Sequence, residues 1–237
     1  MHLILGRATA LLATMAVTIC AATLHVSVSA QTGPTPSEQA SYTGLHAAAQ
    51  KGDLAAIERL ATNKAALNTR DGYGRTPLHV ATFARQREAI RALVKAGANV
   101  DLLEHDRYDC ITIASVADDE ETLRVLLALG ASAKQTTSRY DGTALIAAAH
   151  LGHDGVVKQL VTAGAPLDHV NNLHWTAVIE SIVLGNGGSR HQTTLRVLIQ
   201  AGANLQLKDR QGATPLQLAK ARGYRAMVQM LEAAGAK

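Results

Sequence analysis

The glycine-rich run at residues 184–192, LGNGGSRHQ, is the first segment of this sequence whose composition could do chemistry. It places three glycines and an arginine between two apolar stretches. Glycine-rich loops bind phosphate when backbone N–H groups converge at a helix N-terminus and a nearby lysine adds charge. This run lacks the Gly-Lys-Ser/Thr ending, and no strand is expected before it. The sequence therefore argues against a phosphate-binding loop.

Two histidines three residues apart, His150 and His153, could supply two ligands to a zinc ion. Gly152 interrupts the helix between them, and the sequence offers no evident third ligand. The acidic run at 118–121 lacks the Asp-x-Asp-x-Asp-Gly spacing of a calcium loop, and its carboxylates suit the start of a helix. We expect no metal and no cofactor. The alternative is a metal-dependent protein or enzyme that uses His150, His153 and the loop 186–190.

The candidate catalytic residues lack partners in the sequence. Cys110 takes the first-turn position of an expected helix, which favours a small buried side chain over a nucleophile. His46 and His79 share one position of a recurring pattern, where an imidazole is expected to hydrogen-bond neighbouring backbone. No nucleophile or carboxylate recurs beside them, so we predict a protein that is not an enzyme.

The elements that carry these residues repeat along the chain. The segment GRTPLHVA, residues 74–81, recurs in related form along the chain. Its threonine position is occupied by threonine in five copies and by aspartate in one: Thr43, Thr76, Asp109, Thr143, Thr176 and Thr214. The spacings are 33, 33, 34, 33 and 38 residues. A second echo, a Gly-Ala pair, recurs at Gly97, Gly130, Gly164, Gly202 and Gly235. Each lies 21 residues after its anchor except Gly202, which lies 26 after Thr176, so one repeat contains a five-residue insertion.

Each unit predicts two helices and a turn. The threonine is an N-cap, and a following proline fits the first helical position. A first helix ends near a glycine such as Gly52 or Gly152, and a second has apolar residues at i, i+3 and i+4. The second helix ends at the Gly-Ala pair, where glycine supplies a left-handed cap. About a dozen residues rich in Asn, Asp, Gly and Tyr then form a hairpin-like finger.

A period of 33 with Thr-Pro-Leu-His-x-Ala, a mid-repeat glycine and a terminal Gly-Ala resembles the ankyrin repeat. The resemblance covers residues 38–237 in six copies. It implies an all-α solenoid of six helix-turn-helix units with β-hairpin-like finger loops, which binds partners through fingers and inner helices. Repeat three departs most from the pattern. Asp109 can still cap its helix, but Asp118 replaces the usual glycine, so the sequence does not decide the conformation of that turn.

The insertion lies in repeat five, because Gly152 of repeat four aligns with Gly185. The extra residues are predicted to extend the turn between the two helices: Asn186, Gly187, Gly188, Ser189 and Arg190. Loop extension costs little closure entropy, so a tolerated surface insertion is one interpretation. The other is a secondary contact loop, because insertions in repeat proteins map to one face and often serve a partner.

Most aromatic residues fall in finger segments rather than in helices. Tyr42, Arg75, Tyr108 and Trp175 stand directly before the threonine position in four of six repeats. Equivalent positions of stacked repeats align, and Tyr, Trp and Arg dominate protein–protein hot spots. We therefore predict a partner-binding row of Tyr42, Tyr73, Arg75, Tyr108, Tyr140 and Trp175. The alternative is that these rings pack against neighbouring fingers and stiffen the stack.

The first thirty residues are predicted to be a cleaved signal peptide. Arg7 is the one charged residue there, an apolar or small stretch follows, and 28–30 reads Val-Ser-Ala, which suits signal peptidase. An uncleaved anchor is the alternative, since 8–30 is just long enough to span a bilayer. Residues 31–37 are predicted to be a flexible spacer. The alanine-rich signal and the resemblance to exported bacterial ankyrin proteins predict a periplasmic protein.

The remaining composition excludes several classes. Without the signal, 237 − 30 = 207 residues carry 22 basic against 19 acidic side chains, and no basic stripe for nucleic acid is evident. One cysteine remains, so no intramolecular disulfide can form. We expect that the protein does not contact the membrane after signal cleavage and that it is a monomer. We expect its partner to be another protein. A chaperone-like protector of one periplasmic enzyme is a further possibility.

Overall fold

A computed structural model describes residues 32–237, which fold into short helices joined by tight turns. The predicted signal peptide, 1–30, and Gln31 lie outside the described residues. After α1 (Pro36–Ser41), the helices come in pairs: α2 (Gly44–Lys51) and α3 (Leu54–Leu60), α4 (Pro77–Phe83) and α5 (Arg87–Ala96), α6 (Cys110–Val116) and α7 (Glu120–Ala128), α8 (Ala144–Leu151) and α9 (Asp154–Thr162), α10 (Ala177–Val183) and α11 (Ser189–Gln200), α12 (Pro215–Ala221) and α13 (Arg225–Ala233). A 3-10 helix, Lys64–Asn68, follows α3.

The first helix of each pair begins at the recurring cap position. The side chain there accepts a hydrogen bond from the backbone N–H three residues later in Thr76, Asp109, Thr143, Thr176 and Thr214. Thr43 makes no such bond. Asp109 accepts from the Thr112 N–H at 2.7 Å, so the helix start predicted for repeat three is confirmed.

The turn after each first helix uses a left-handed residue. Gly52, Gly152 and Gly223 have positive φ there, and non-glycine residues adopt the same conformation in repeats two and three. Asp118 has φ 53° and Arg85 has φ 55°. Aspartate tolerates this region better than most side chains, so the turn survives the loss of glycine.

The repeats stack as two layers, first helices against first helices and second against second. One position of the first helices is always small and buried: Ala48, Ala81, Ala114, Ala148, Ser181 and Ala219. Small side chains let neighbouring helices approach closely. The second helices contribute a leucine ladder: Leu60, Leu93, Leu126, Leu160, Leu198 and Leu231. This aliphatic core is continuous from the first repeat to the last.

The fingers are tied within and between repeats by backbone hydrogen bonds. Within a finger, the N–H of Asn171 donates to the Trp175 carbonyl at 3.0 Å, and three other fingers repeat this bond. Three N–H groups donate to the preceding finger: His105 to Tyr73, Ser138 to Arg107, and Asn172 to Tyr140. No β-strand forms among residues 32–237; one isolated bridge pairs Thr137 with Gly142.

The N-terminal segment lies against the first two repeats. The spacer predicted at 31–37 includes Pro34, which is buried, and Gly33, which packs on the Phe83 ring. Thr35 and Glu38 form a capping box that starts α1. In the described part of the chain, no helix is long and apolar enough to cross a membrane.

Replacing Thr143 by alanine should lower the free energy of unfolding by about 1 kcal/mol, because the N-cap hydrogen bond to Ile146 is lost. Thr43→Ala is the matched control, since Thr43 makes no cap bond and should change stability by less than about 0.5 kcal/mol. Urea denaturation of both variants measures the difference. Equal losses would contradict the capping role.

Candidate functional site

The finger residues that the sequence placed in one row divide into two groups. Tyr73 is 55% exposed, and Tyr108, Tyr140 and Trp175 are partly exposed on fingers two to five. Tyr42 is partly buried, and its hydroxyl donates to Asp71 Oδ2 at 2.8 Å. Burial and this hydrogen bond raise the pKa of the Tyr42 hydroxyl.

Arg75 is buried, with 3% of its side chain exposed. Its Nε donates to Asp71 Oδ2 at 2.8 Å, and its Nη2 donates to Glu38 Oε2 at 3.0 Å. The Tyr73 ring lies over the guanidinium at 4.5 Å. This corrects the sequence-based assignment of Arg75 as a partner contact, because the guanidinium ties α1 to the second finger instead of facing solvent.

The carboxyl of Asp71 is the centre of this N-terminal cluster. Burial would raise its pKa, but hydrogen bonds from Tyr42 and Arg75 outweigh burial, and the pKa is lowered. Its Oδ1 also accepts from the N–H groups of Tyr73 and Arg75. One carboxylate therefore shapes the second finger and holds the arginine beneath it.

The insertion is partly helical. Helix α10 ends at Val183 and α11 begins at Ser189, so Ser189 and Arg190 lie in the first turn of α11 and not in the preceding turn. This corrects the prediction that all five inserted residues extend the loop. Gly188 is the N-cap residue of α11, Gly187 has φ 68°, and Asn186 Oδ1 accepts from the Gly188 N–H.

Arg190 joins three repeats at the edge opposite the fingers. Its Nη2 lies 2.8 Å from Asp118 Oδ2, and its Nε lies 3.0 Å from Asp154 Oδ1. Asp118 belongs to repeat three and Asp154 to repeat four. The inserted arginine therefore forms an intramolecular link, here called the Arg190 clasp, from the start of α11 to Asp118 and Asp154.

The histidines of the alternative metal site make separate contacts. A ring nitrogen of His153 lies 2.9 Å from the Ser115 carbonyl, and His150 Nδ1 lies 3.4 Å from Glu180 Oε2. Within residues 32–237, no three His, Cys, Asp or Glu side chains converge to hold a metal ion. The geometry thus gives the metal alternative no support.

The other candidate catalytic residues have structural surroundings. A ring nitrogen of His46 lies 2.9 Å from the Arg75 carbonyl, and His79 is hydrogen-bonded to Thr76 and the Leu102 carbonyl. These contacts confirm the backbone bonding predicted for both imidazoles. Burial lowers the pKa of His79 to about 4 and raises the pKa of Cys110 to about 12. Both groups are therefore neutral at pH 7.

Glu180 is a buried acid that the sequence reasoning missed. It lies on α10 with 4% of its surface exposed, and its Oε1 accepts from Asn171 Nδ2 at 3.0 Å. Its Oε2 is buried without a hydrogen-bond partner among the described residues. Burial raises the pKa of this carboxyl to about 7. A signal was present, because the equivalent residues of the other repeats are all apolar: Ala47, Val80, Ile113, Ala147 and Leu218.

Comparison with known families decides what these stacked repeats are. A family model described as "Ankyrin repeats (3 copies)" matches residues 17–104 and 111–209. The chain belongs to the ankyrin-repeat family. Ankyrin repeats are protein–protein interaction modules and generally act as non-enzymatic binding scaffolds. The all-helical solenoid predicted from the period of 33 is confirmed.

Alignments with other ankyrin-repeat proteins cover most of the chain. The putative ankyrin repeat protein YahD of Escherichia coli K12 is 33% identical over 190 residues, which are 80% of this chain and 94% of YahD. A solved ankyrin repeat domain from Acinetobacter baumannii is 43% identical with a TM-score of 0.76, covering 81% of this chain and 98% of that one. The ankyrin repeat domain of Bcl-3 is 28% identical with a TM-score of 0.74, covering 83% and 88%.

Arg75→Ala should lower the free energy of unfolding by about 3 kcal/mol, because it leaves Asp71 and Glu38 without their buried cation. Arg107→Ala is the control: its ion pair with Asp141 is exposed and should contribute less than about 1 kcal/mol. Urea denaturation measures both values, and hydrogen exchange should show faster exchange in α1 for Arg75→Ala alone. Equal destabilisation by the two variants would show that Arg75 has no special structural role.

Proposed function

We propose that this ankyrin-repeat protein binds another protein on a surface formed by Tyr108, Tyr140 and Trp175 together with the first helices beneath them. The observation that carries the proposal is that these rings are partly exposed on three consecutive fingers, which are joined by backbone hydrogen bonds. Large aromatic side chains supply much of the energy of protein interfaces. The protein acts as a binding partner and not as an enzyme.

Rigid fingers favour this use. Asn171 Oδ1 accepts from the Leu173 and Trp175 N–H groups, and Asp209 holds the last finger in the same way. Because the fingers are already ordered, little conformational entropy is lost when a partner docks. Tyr73 extends the row at its N-terminal end, over the buried Arg75.

The inserted segment is a secondary contact site in this proposal. Asn186 is exposed, and Gly187 and Gly188 are partly exposed, at the edge opposite the finger tips. Arg190 anchors the start of α11 beside them through its two carboxylate partners. A partner long enough to wrap around the first-helix layer would reach this loop.

The compartment is also part of the proposal. The single charge at Arg7, the small and apolar residues after it and the Val-Ser-Ala sequence at 28–30 support export to a periplasm and cleavage after Ala30. We expect the exported protein to act as a monomer.

Expression of the full chain in a Gram-negative host should yield a product in the osmotic-shock fraction whose N-terminal sequence begins at Gln31. Replacing Ala30 by a bulky residue, Ala30→Phe, should block that cleavage and retain the longer form. An unprocessed product of the native sequence, or one confined to the cytosol, would contradict export.

Trp175→Ala and Tyr108→Ala should each weaken binding of the physiological partner at least fivefold, about 1 kcal/mol, because each removes an aromatic contact. The partner is recovered by affinity purification from periplasmic extract, and its affinity is measured by calorimetry. Leu54→Ala is the control, since Leu54 is 46% exposed but lies on the second-helix layer. Unchanged affinity for both aromatic variants would refute docking on the fingers.

A further inference from the structure

We propose that Glu180 forms a binding site for one lysine side chain of the partner protein, at the base of the fifth finger. The inference rests on the proposed function and adds the chemistry of the group that is recognised. Its basis is a buried carboxylate oxygen without a hydrogen-bond partner in the described chain, on the helix layer that the finger row borders.

The fold does not require an acid at this position. In the five other repeats the equivalent residue is alanine, valine, isoleucine or leucine, and each of these repeats forms the same pair of helices. A buried carboxylate with an unsatisfied oxygen destabilises a protein by the lost hydration of that group. A residue that opposes stability in one repeat of six is a candidate for binding.

Asn171 holds the carboxylate and leaves one oxygen open. The residue at this place in the second and sixth fingers is an aspartate, Asp71 or Asp209, which has no donor to offer a second acid. Asn171 keeps the same finger contacts through Oδ1 and donates through Nδ2 to Glu180 Oε1. Amide and acid therefore form a matched pair that fixes Oε1 and leaves Oε2 available.

Within the chain, His150 pairs only weakly with Oε2 of Glu180. His150 Nδ1 is 3.4 Å from Oε2, longer than the 2.7–2.9 Å of a charge-assisted hydrogen bond. Burial, and then the charges of His191 and His153, lower the pKa of His150 and favour its neutral form. His150 lies beside Oε2 and 20% of its side chain is exposed, so displacement of this ring would give a partner's ammonium group access to the oxygen.

A lysine fits this arrangement better than an arginine. Arginine binds a carboxylate most strongly through two parallel hydrogen bonds, which need both oxygens. Oε1 already accepts from Asn171, so one oxygen remains for a compact ammonium group. Trp175 is positioned by the same Asn171, which places an aromatic anchor in the repeat that carries the acid.

Peptides selected from a displayed random library against the full chain provide the probe. Peptides whose binding depends on Trp175 should share a lysine, and Glu180→Gln should weaken them at least tenfold. Replacing that lysine by norleucine should weaken binding to the native chain by a similar factor and have little further effect on Glu180→Gln. The glutamine side chain still accepts the hydrogen bond from Asn171. The melting temperature of the Glu180→Gln variant should therefore be no lower than that of the native chain.

Ala47→Gln is the matched control, because it places the same amide at the equivalent position of the first repeat and should leave peptide affinity unchanged. Peptides that require Trp175 but bind Glu180→Gln within twofold would overturn the lysine site and leave docking on the fingers standing. Peptides that bind native and Trp175→Ala chains equally would overturn the proposed surface, and the lysine site with it. A shared arginine in place of lysine would overturn the choice of an ammonium group.

Discussion

Close packing between neighbouring first helices is the constraint on which the rest of the structure depends. A small buried residue in every first helix, alanine in five repeats and Ser181 in the other, lets adjacent helices approach closely. Because neighbouring helices are close, fingers two to five fall within hydrogen-bonding distance of one another, as in the bond from the Asn172 N–H to the Tyr140 carbonyl. A larger side chain in any one repeat would separate the fingers above it as well as the helices.

The chain uses one finger position for two different electrostatic purposes. At the N-terminal end, Asp71 neutralises Arg75 and receives the Tyr42 hydroxyl, so that the first finger and α1 are sealed against the second repeat. In repeat five, Asn171 has no charge to neutralise and instead orients Glu180. The change from aspartate at position 71 to asparagine at the equivalent position 171 thus distinguishes the two clusters. In the cluster around Asp71 the charges are paired, whereas in the cluster around Asn171 the Glu180 Oε2 atom keeps no hydrogen-bond partner. Similar backbones therefore carry different chemistry along the solenoid.

Much of the architecture follows from the sequence because it depends on local rules. The threonine caps, the left-handed turns and the spacing of 33 are properties of short segments, and Asp109 shows that they tolerate substitution. The contacts of Arg75 could not be predicted in the same way, because Glu38 reaches it from 37 residues earlier in the chain. The contacts of the inserted Arg190 were equally hidden, because its carboxylate partners lie in two other repeats. Glu180 was detectable as an acid at an apolar position, but its unpaired oxygen became evident only with the positions of His150 and Asn171.

The Arg190 clasp has a consequence for how the solenoid opens. Repeat arrays are usually described by the stability of each unit and its contact with the next, so that fraying advances one unit at a time. Arg190 links repeat five to Asp118 in repeat three, beyond its immediate neighbour. This link adds a longer-range coupling, which favours concerted over stepwise opening of repeats three to five. The number of repeats that open together is then set partly by one arginine in the first turn of α11.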